Sequence, residues 1–228
     1  MALFAISDPH LSLASDKPMD IFRGWEGYVD KLSANWRNMI TDSDTVVIPG
    51  DISWEMKLEK TLTDFKFLDS LPGRKIILKG NHDLWWESVT KMNMFFSEND
   101  LKFEILHNNC LFYGDFALCG SRGWFYDDRS DDAEKVVLRE AARIERSLEA
   151  AKQSGKESIL FLHYPPVMKD SRCEEIMSVI GRYGVKRCYY GHIHRAGSAK
   201  AINGTVDGTA FRCVSCDILD FSPLKIAD

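Results

Sequence analysis

Five times along this 228-residue chain a short apolar run stops and a histidine, aspartate or asparagine follows at once. Residues 4–7 lead to Asp8-Pro9-His10, residues 46–50 to Asp51, and residues 76–80 to Asn81-His82-Asp83. Residues 159–162 lead to His163, and residues 188–191 to His192-Ile193-His194. Short apolar runs closed by turn residues read as buried strands. Between them lie stretches of helical character. Residues 21–40 space Trp25, Tyr28, Val29, Leu32, Trp36 and Met39 near one helix face. Residues 55–71 read as a helix stopped by Pro72-Gly73, residues 133–152 as a helix capped by Ser130 or Asp131, and residues 173–181 as a short helix. Strands alternating with helices predict an α/β fold with a largely buried sheet and helices outside.

The middle and the end of the chain add antiparallel character. Residues 103–106, 110–113 and 116–119 read as short strands separated by Asn108-Asn109 and Gly114-Asp115, both turn chemistry. The last forty residues alternate apolar and polar, with Gly204 and Gly208 expected at the turns of a small antiparallel meander. Mixed rather than purely parallel pairing is therefore expected, within a single domain spanning residues 1–228.

Composition narrows the functional classes. Hydrophobic residues make up 45% and charged residues 28%, so a chain this long can bury a full core without staples. A metal, if bound, would then serve function rather than folding. The net charge of −5 and the lack of a long Lys/Arg cluster disfavour nucleic acid as a partner. No apolar run approaches a membrane span, and residues 1–8 enter a strand pattern with no basic leader. A cytoplasmic location is expected, with the six cysteines reduced and buried. Cys213-Val214-Ser215-Cys216 has metal-ligand spacing, but no second pair completes a tetrahedral site. Residues three apart on a strand also face opposite ways, so these read as core thiols.

Histidine placement is the sharpest signal. Of six histidines, only His107 lies outside the strand-end positions, and it reads as an ordinary turn residue. Open α/β sheets bind ligands beyond the carboxyl ends of their strands. Five such ends delivering His, Asp or Asn would converge on one crevice, with glycines before Asp51, Asn81 and His192 letting the backbone turn sharply. Each motif alone is weak, and their joint order gives them weight.

Asp8-Pro9-His10, Gly50-Asp51, Gly80-Asn81-His82-Asp83, His163 and Gly191-His192-Ile193-His194 together resemble the calcineurin-like metallophosphoesterase superfamily. The resemblance implies a four-layer α/β/β/α sandwich with mixed sheets and two metal ions. One ion would take Asp8, His10, Asp51 and His194; the other would take Asp51, Asn81, His163 and His192, with Asp51 bridging. The donor chemistry agrees: imidazole with carboxylate and amide oxygen suits Mn, Fe, Zn, Co or Ni. Seven N/O donors with one shared carboxylate describe two ions roughly 3.5–4 Å apart.

The expected reaction is hydrolysis of a phosphomonoester or phosphodiester by hydroxide held between the metals. His82 would act as general acid to the leaving oxygen. Asp83 would orient His82 and favour its protonated form, or cap a helix starting near Leu84-Trp85-Trp86. Arg122 could clamp phosphate and Trp124 could stack on a ring of the substrate, a phosphorylated small molecule. Arg195, directly after His194, is placed like Arg122 to meet phosphate or equally to make a surface ion pair, and Trp54, Trp85 and Trp86 read as walls and supports. The contrasting reading is a non-catalytic metal-binding scaffold of the same fold for protein partners. Retention of all seven ligands and His82 favours the enzyme. The sequence assigns no oligomeric state.

Overall fold

Along the buried strands, successive side chains enter different cores, and this sets the layering. The structure is a computed structural model, and it describes residues 1–15, 17–124 and 133–228. The first half runs β1 (Leu3–Ala5), α1 (Tyr28–Met39), β2 (Thr45–Ile48), α2 (Leu62–Asp69), β3 (Arg74–Ile77), α3 (Val89–Glu98) and β4 (Phe103–Ile105). The second half runs β5 (Cys110–Tyr113), β6 (Phe116–Ser121), α4 (Ala133–Ser154), β7 (Glu157–Leu162), β8 (Val167–Met168), β9 (Ser171–Arg172), α5 (Glu174–Arg182), β10 (Arg187–Tyr190), β11 (Gly204–Val206), β12 (Thr209–Cys213) and β13 (Leu224–Ala227).

Two mixed sheets result. One has the order β13-β1-β2-β3-β4, parallel except for β13. The other has the order β11-β12-β10-β7-β6-β5, parallel in its centre and antiparallel at both edges. On β1 and β2, Phe4, Val46 and Ile48 turn outward to a core shared with Leu32 and Trp36 of α1, Phe65 of α2 and Phe96 of α3. Leu3, Ala5 and Val47 turn inward to meet Leu118, Ile159 and Phe161 of the second sheet. Leu160 and Leu162 face outward onto Ile144 and Leu148 of α4 and Ile176 of α5. Period-two alternation across three cores produces the four-layer α/β/β/α sandwich. Among the described residues no helix is long and apolar enough to cross a membrane.

The two sheets are tied at the ends of their strands. Beyond β1, Ser7 N–H donates to the Val214 carbonyl at 2.8 Å, and Cys216 N–H donates to the Ser7 carbonyl at 2.8 Å. Cys213 faces the α4/α5 core and Cys216 the α1–α3 core, as their three-residue spacing on extended chain requires.

Three expected elements are corrected. The helix expected over residues 21–40 starts only at Tyr28, because Gly24 (φ 91°) and Gly27 (φ 62°) hold conformations a helix cannot continue through. Residues 55–71 reduce to a 3₁₀ turn over Leu58–Thr61 followed by α2, before the stop at Pro72-Gly73. The terminal meander is not one. β11 and β12 form a hairpin around Asp207-Gly208, but Gly204 lies in β11, β12 runs parallel to β10, and β13 crosses to pair with β1. The proposed α4 caps, Ser130 and Asp131, lie outside the described residues.

Candidate metal centre

The carboxyl ends of β1, β2 and β3 from one sheet meet those of β7 and β10 from the other, and the strand-end residues converge there. Asp8, His10, Asp51 and His163 are buried, whereas Asn81, His82, His192 and His194 are half-buried and form the open side. Asp8, His10 and His194 place one donor atom each within 4.8 Å of one another, and Asp51, His163 and His192 do likewise. Asn81 completes the second group: its Oδ1 lies 2.7 Å from His163 Nε2 and 2.9 Å from His192 Nδ1. Asp51 Oδ2 stands between the groups, 3.7 Å from His10 Nε2 and 3.4 Å from His163 Nε2.

Backbone geometry aims these side chains. Asp8 (φ 58°), His10 (φ 44°), Asp51 (φ 51°) and His192 (φ 68°) all occupy the left-handed region, a conformation that costs non-glycine residues energy and concentrates at functional sites. The glycines act partly as expected. Gly50 turns the chain at φ 93°. Gly80 and Gly191 instead serve close approach: a Cβ on Gly80 would lie 2.1 Å from Asp51 Oδ1, and one on Gly191 would lie 2.2 Å from Ser7 Oγ and 2.5 Å from Asp8 Oδ2.

The donor set fits two metal ions. His10 Nε2 and His194 Nε2 are 3.2 Å apart. Two nitrogens bound at about 2.1 Å to one ion, at a right angle, would be about 3.0 Å apart. Outer contacts fix which nitrogens point inward. His163 Nδ1 meets the Pro49 carbonyl at 3.0 Å, and His194 Nδ1 meets Asp217 Oδ1 at 3.1 Å, leaving each Nε2 toward the centre. His10 stacks on Trp54 at 4.9 Å, and its buried Nδ1 has no partner among the described residues.

Electrostatics describe a centre made for outside charge. Burial pushes Asp8 up to about 6, against the pull of His163 and His194, and pushes Asp51 up to about 7. Burial and neighbouring histidines press His192 down to about 3 and His10 well below the usual range. His163 is also held low, mainly by burial. Burial is the largest influence on His194 and opposes its charge, but Asp217, Asp8 and Asp51 together outweigh it and raise His194 to about 9. Neutral imidazoles at His10, His163 and His192 beside carboxylates that resist ionisation suit bound cations, which also take the place of the proton on His194.

Asp83 departs from both expected roles. Its buried carboxylate accepts N–H donors from Asp51 (2.9 Å), Ile52 (2.7 Å), Ser53 (3.3 Å) and Gly80 (2.7 Å). It therefore clasps the β2 loop to the β3 loop and does not orient the His82 ring. The helix that follows is capped by Ser88 instead. His82 is pushed down by burial and then by His163 and His194, which favours its neutral form. Its backbone N–H donates to Asp51 Oδ1 at 2.7 Å, and its ring lies 4.4 Å from Trp54.

Arg122 and Trp124 follow β6 at the rim. The Arg122 guanidinium lies 4.7 Å from the Trp124 ring centre and 6.0 Å from Tyr164, and Tyr164 packs 4.4 Å from His192. Arg122 is close enough to favour the charged form of Asp51. Trp85 is buried against Phe65 and donates to the Ser53 carbonyl, which makes it a wall. Arg195 lies 2.8 Å from the Asp217 carbonyl. Sequence reasoning missed Asp217, although it follows the end of a sixth strand, β12, as the other site residues follow theirs.

The calcineurin-like phosphoesterase family matches residues 1–196, and the chain belongs to that family. A curated relative, the uncharacterised protein MJ1445 of Methanocaldococcus jannaschii, is 28% identical over 111 residues, which is 46% of this chain and 58% of that protein. The chain thus matches little more than half of that relative's length. Among solved structures, protein AQ665 of Aquifex aeolicus superposes with a TM-score of 0.56 at 15% identity, covering 98% of this chain and 95% of that one. Phosphopantetheinyl hydrolase PptH of Mycobacterium tuberculosis gives 0.56 at 14% identity, covering 99% and 95%. Protein TT1561 of Thermus thermophilus gives 0.56 at 15%, covering 87% and 85%. At these identities the structures share the fold.

Proposed function

We propose that the whole chain, residues 1–228, works as one metal-dependent phosphoester hydrolase acting on a phosphorylated small molecule. The observation that carries this is the pair of donor clusters meeting at Asp51 Oδ2, with Asn81, His82, His192 and His194 partly exposed. Asp8, His10, Asp51 and His194 would hold one ion of the Mn, Fe, Zn, Co or Ni kind, and Asp51, Asn81, His163 and His192 the other. Such ions, when bound, supply an activated water near neutral pH and offset phosphate charge. Asp83 keeps the Asp51 and Asn81 loops in register. His82 stands on the open side as a neutral imidazole, and its remaining task is to donate one ring N–H to the leaving oxygen. Arg122, steadied on Trp124, supplies a fork of donors for a phosphoryl oxygen, and Trp124 and Tyr164 flank a ring in the substrate. A net charge of −5 disfavours nucleic acid, and six free thiols suit the cytoplasm.

The test is turnover of an aryl phosphomonoester and an aryl phosphodiester by metal-stripped and manganese-loaded protein, with His82→Ala alongside. Activity should appear only with metal. His82→Ala should lose about 10²-fold or more, with a larger loss for poorer leaving groups. No turnover of either ester by protein carrying two ions would overturn the enzymatic reading. Equal losses across leaving groups would remove His82 from its role.

A further inference from the structure

Away from the metal centre, two thiols face each other across the β5–β6 hairpin. Cys110 and Cys119 are direct register partners on antiparallel strands, so their side chains leave the same face of the sheet. Both pack on the core beneath α4. The strands are joined by the two-residue turn Gly114-Asp115, with Gly114 at φ 51°, and Tyr113 pairs with Phe116 beside it. The pair closing a two-residue hairpin is hydrogen-bonded, and pairs alternate from there. Cys110 and Cys119 are the fourth pair, hence a non-hydrogen-bonded one, with Cα atoms about 4.5 Å apart. That separation lies within the span a disulfide bridges.

We propose that Cys110 and Cys119 form a reversible oxidation site that closes to an intramolecular disulfide on exchange with a low-molecular-weight disulfide such as oxidised glutathione. Exposure assigns the order of steps. Cys110 is half-buried and reachable, whereas Cys119 is fully buried. The neighbouring Cys119 sulfur lowers the Cys110 thiol, whereas Cys110 and then burial raise Cys119. The Cys110 thiolate attacks one sulfur of the oxidant, forming a mixed disulfide and expelling one glutathione thiolate. Cys119 then gives up its proton and attacks the Cys110 sulfur, expelling the second. The protein loses two protons and two electrons, and the oxidant takes them up to become two thiols.

The site sits where closure has consequences. Cys119 Sγ is 3.5 Å from the Ser147 carbonyl, and the next residue, Gly120, donates its N–H to Ser147 Oγ at 3.0 Å. Ser147 Oγ in turn donates to the Asn109 carbonyl, beside Cys110. Oxidation therefore staples both strands of the hairpin at the point where they hold α4. The other four cysteines are buried, and Cys213 and Cys216 lie in different cores.

The experiment incubates the full chain, natively folded, with oxidised glutathione, traps free thiols with a maleimide after denaturation, and maps peptides by mass spectrometry. The expected product is a Cys110–Cys119 bridge reversed by dithiothreitol, with the other four cysteines alkylated. Cys119→Ser should stop at a glutathione adduct on Cys110. Cys110→Ser should react at least about 10-fold more slowly, because the buried thiol alone is inert. Wild-type protein that halts at the Cys110 adduct, or bridges any other pair, overturns the proposal whatever the variants do.

Discussion

Asp83→Asn separates a clasp between loops from a partner of His82. Each Asp83 oxygen serves two backbone donors: Oδ2 takes Asp51 and Gly80, and Oδ1 takes Ile52 and Ser53. Asparagine keeps one acceptor and turns the other position into an NH₂ that faces two N–H groups. Two hydrogen bonds to a charged acceptor are lost, at about 1.5–3 kcal/mol each. Relief from burying a carboxylate that burial already pushes up to about 7 returns part of that loss. The net expectation is a destabilisation of about 2–4 kcal/mol, measured slightly above neutral pH where the wild-type group is ionised.

The functional consequence is larger than that of a distant core defect. Asp51 and Asn81 would lose their common anchor, and outer supports of this kind are worth about 10–100-fold in metal affinity. Urea unfolding of metal-free protein reads the first quantity, and manganese titration calorimetry reads the second. A loss under about 1 kcal/mol together with unchanged manganese affinity would refute the argument, since four buried donors cannot be neglected at no cost.

Two further expectations follow from the same region. In metal-free protein, Asp51 and Asp83 (each about 7) and His194 (about 9) all have folded-state values above their unfolded ones. The folded state then binds more protons than the unfolded state, so stability should fall as pH rises from about 6.5 to about 9. Manganese should flatten that slope, and an apo stability that is level or rising across the window, by thermal melts, contradicts it. Gly191→Ala should destabilise by about 1–3 kcal/mol and displace Asp8, because its Cβ meets Ser7 Oγ and Asp8 Oδ2. Gly181→Ala, on α5 with open space around its Cβ, should be neutral or stabilising by up to about 1 kcal/mol, and equal effects in the two melts would sink the close-approach account.

What could be read before folding was local. The apolar runs ending in Asp8, Asp51, Asn81, His163 and His192 show where strands stop, because strand and ligand are adjacent in the chain. Trp25 fits the helical spacing and is buried in the α1–α3 core, yet its backbone is a glycine turn, so periodicity reported burial and misreported conformation. Asp83 grips backbone thirty or more positions away at Ile52 and Ser53, and no local pattern carries that contact. Asp217 was hidden for a related reason: its carboxylate acts through His194, and the run before it is broken by Ser215 and Cys216. The pairing of β13 with β1 joins the two ends of the chain and is a property of topology alone.

The residues that were legible also show why the centre depends on the fold as a whole. Asp8, Asp51 and Asn81 come from one sheet, and His163, His192 and His194 from the other, so each candidate cluster draws donors from both. Neither sheet can assemble a cluster alone. Their alignment rests on the inner core of Leu3, Val47, Leu118 and Phe161, and on the Ser7 bridge to Val214 and Cys216 at the site's edge. A substitution in that core that slides one sheet over the other would part His10 from His194 and His163 from Asn81 together. Loss of metal affinity without loss of any donor is then the signature of a packing defect between sheets, whereas loss of a single donor should leave the other cluster in place unless that donor is Asp51.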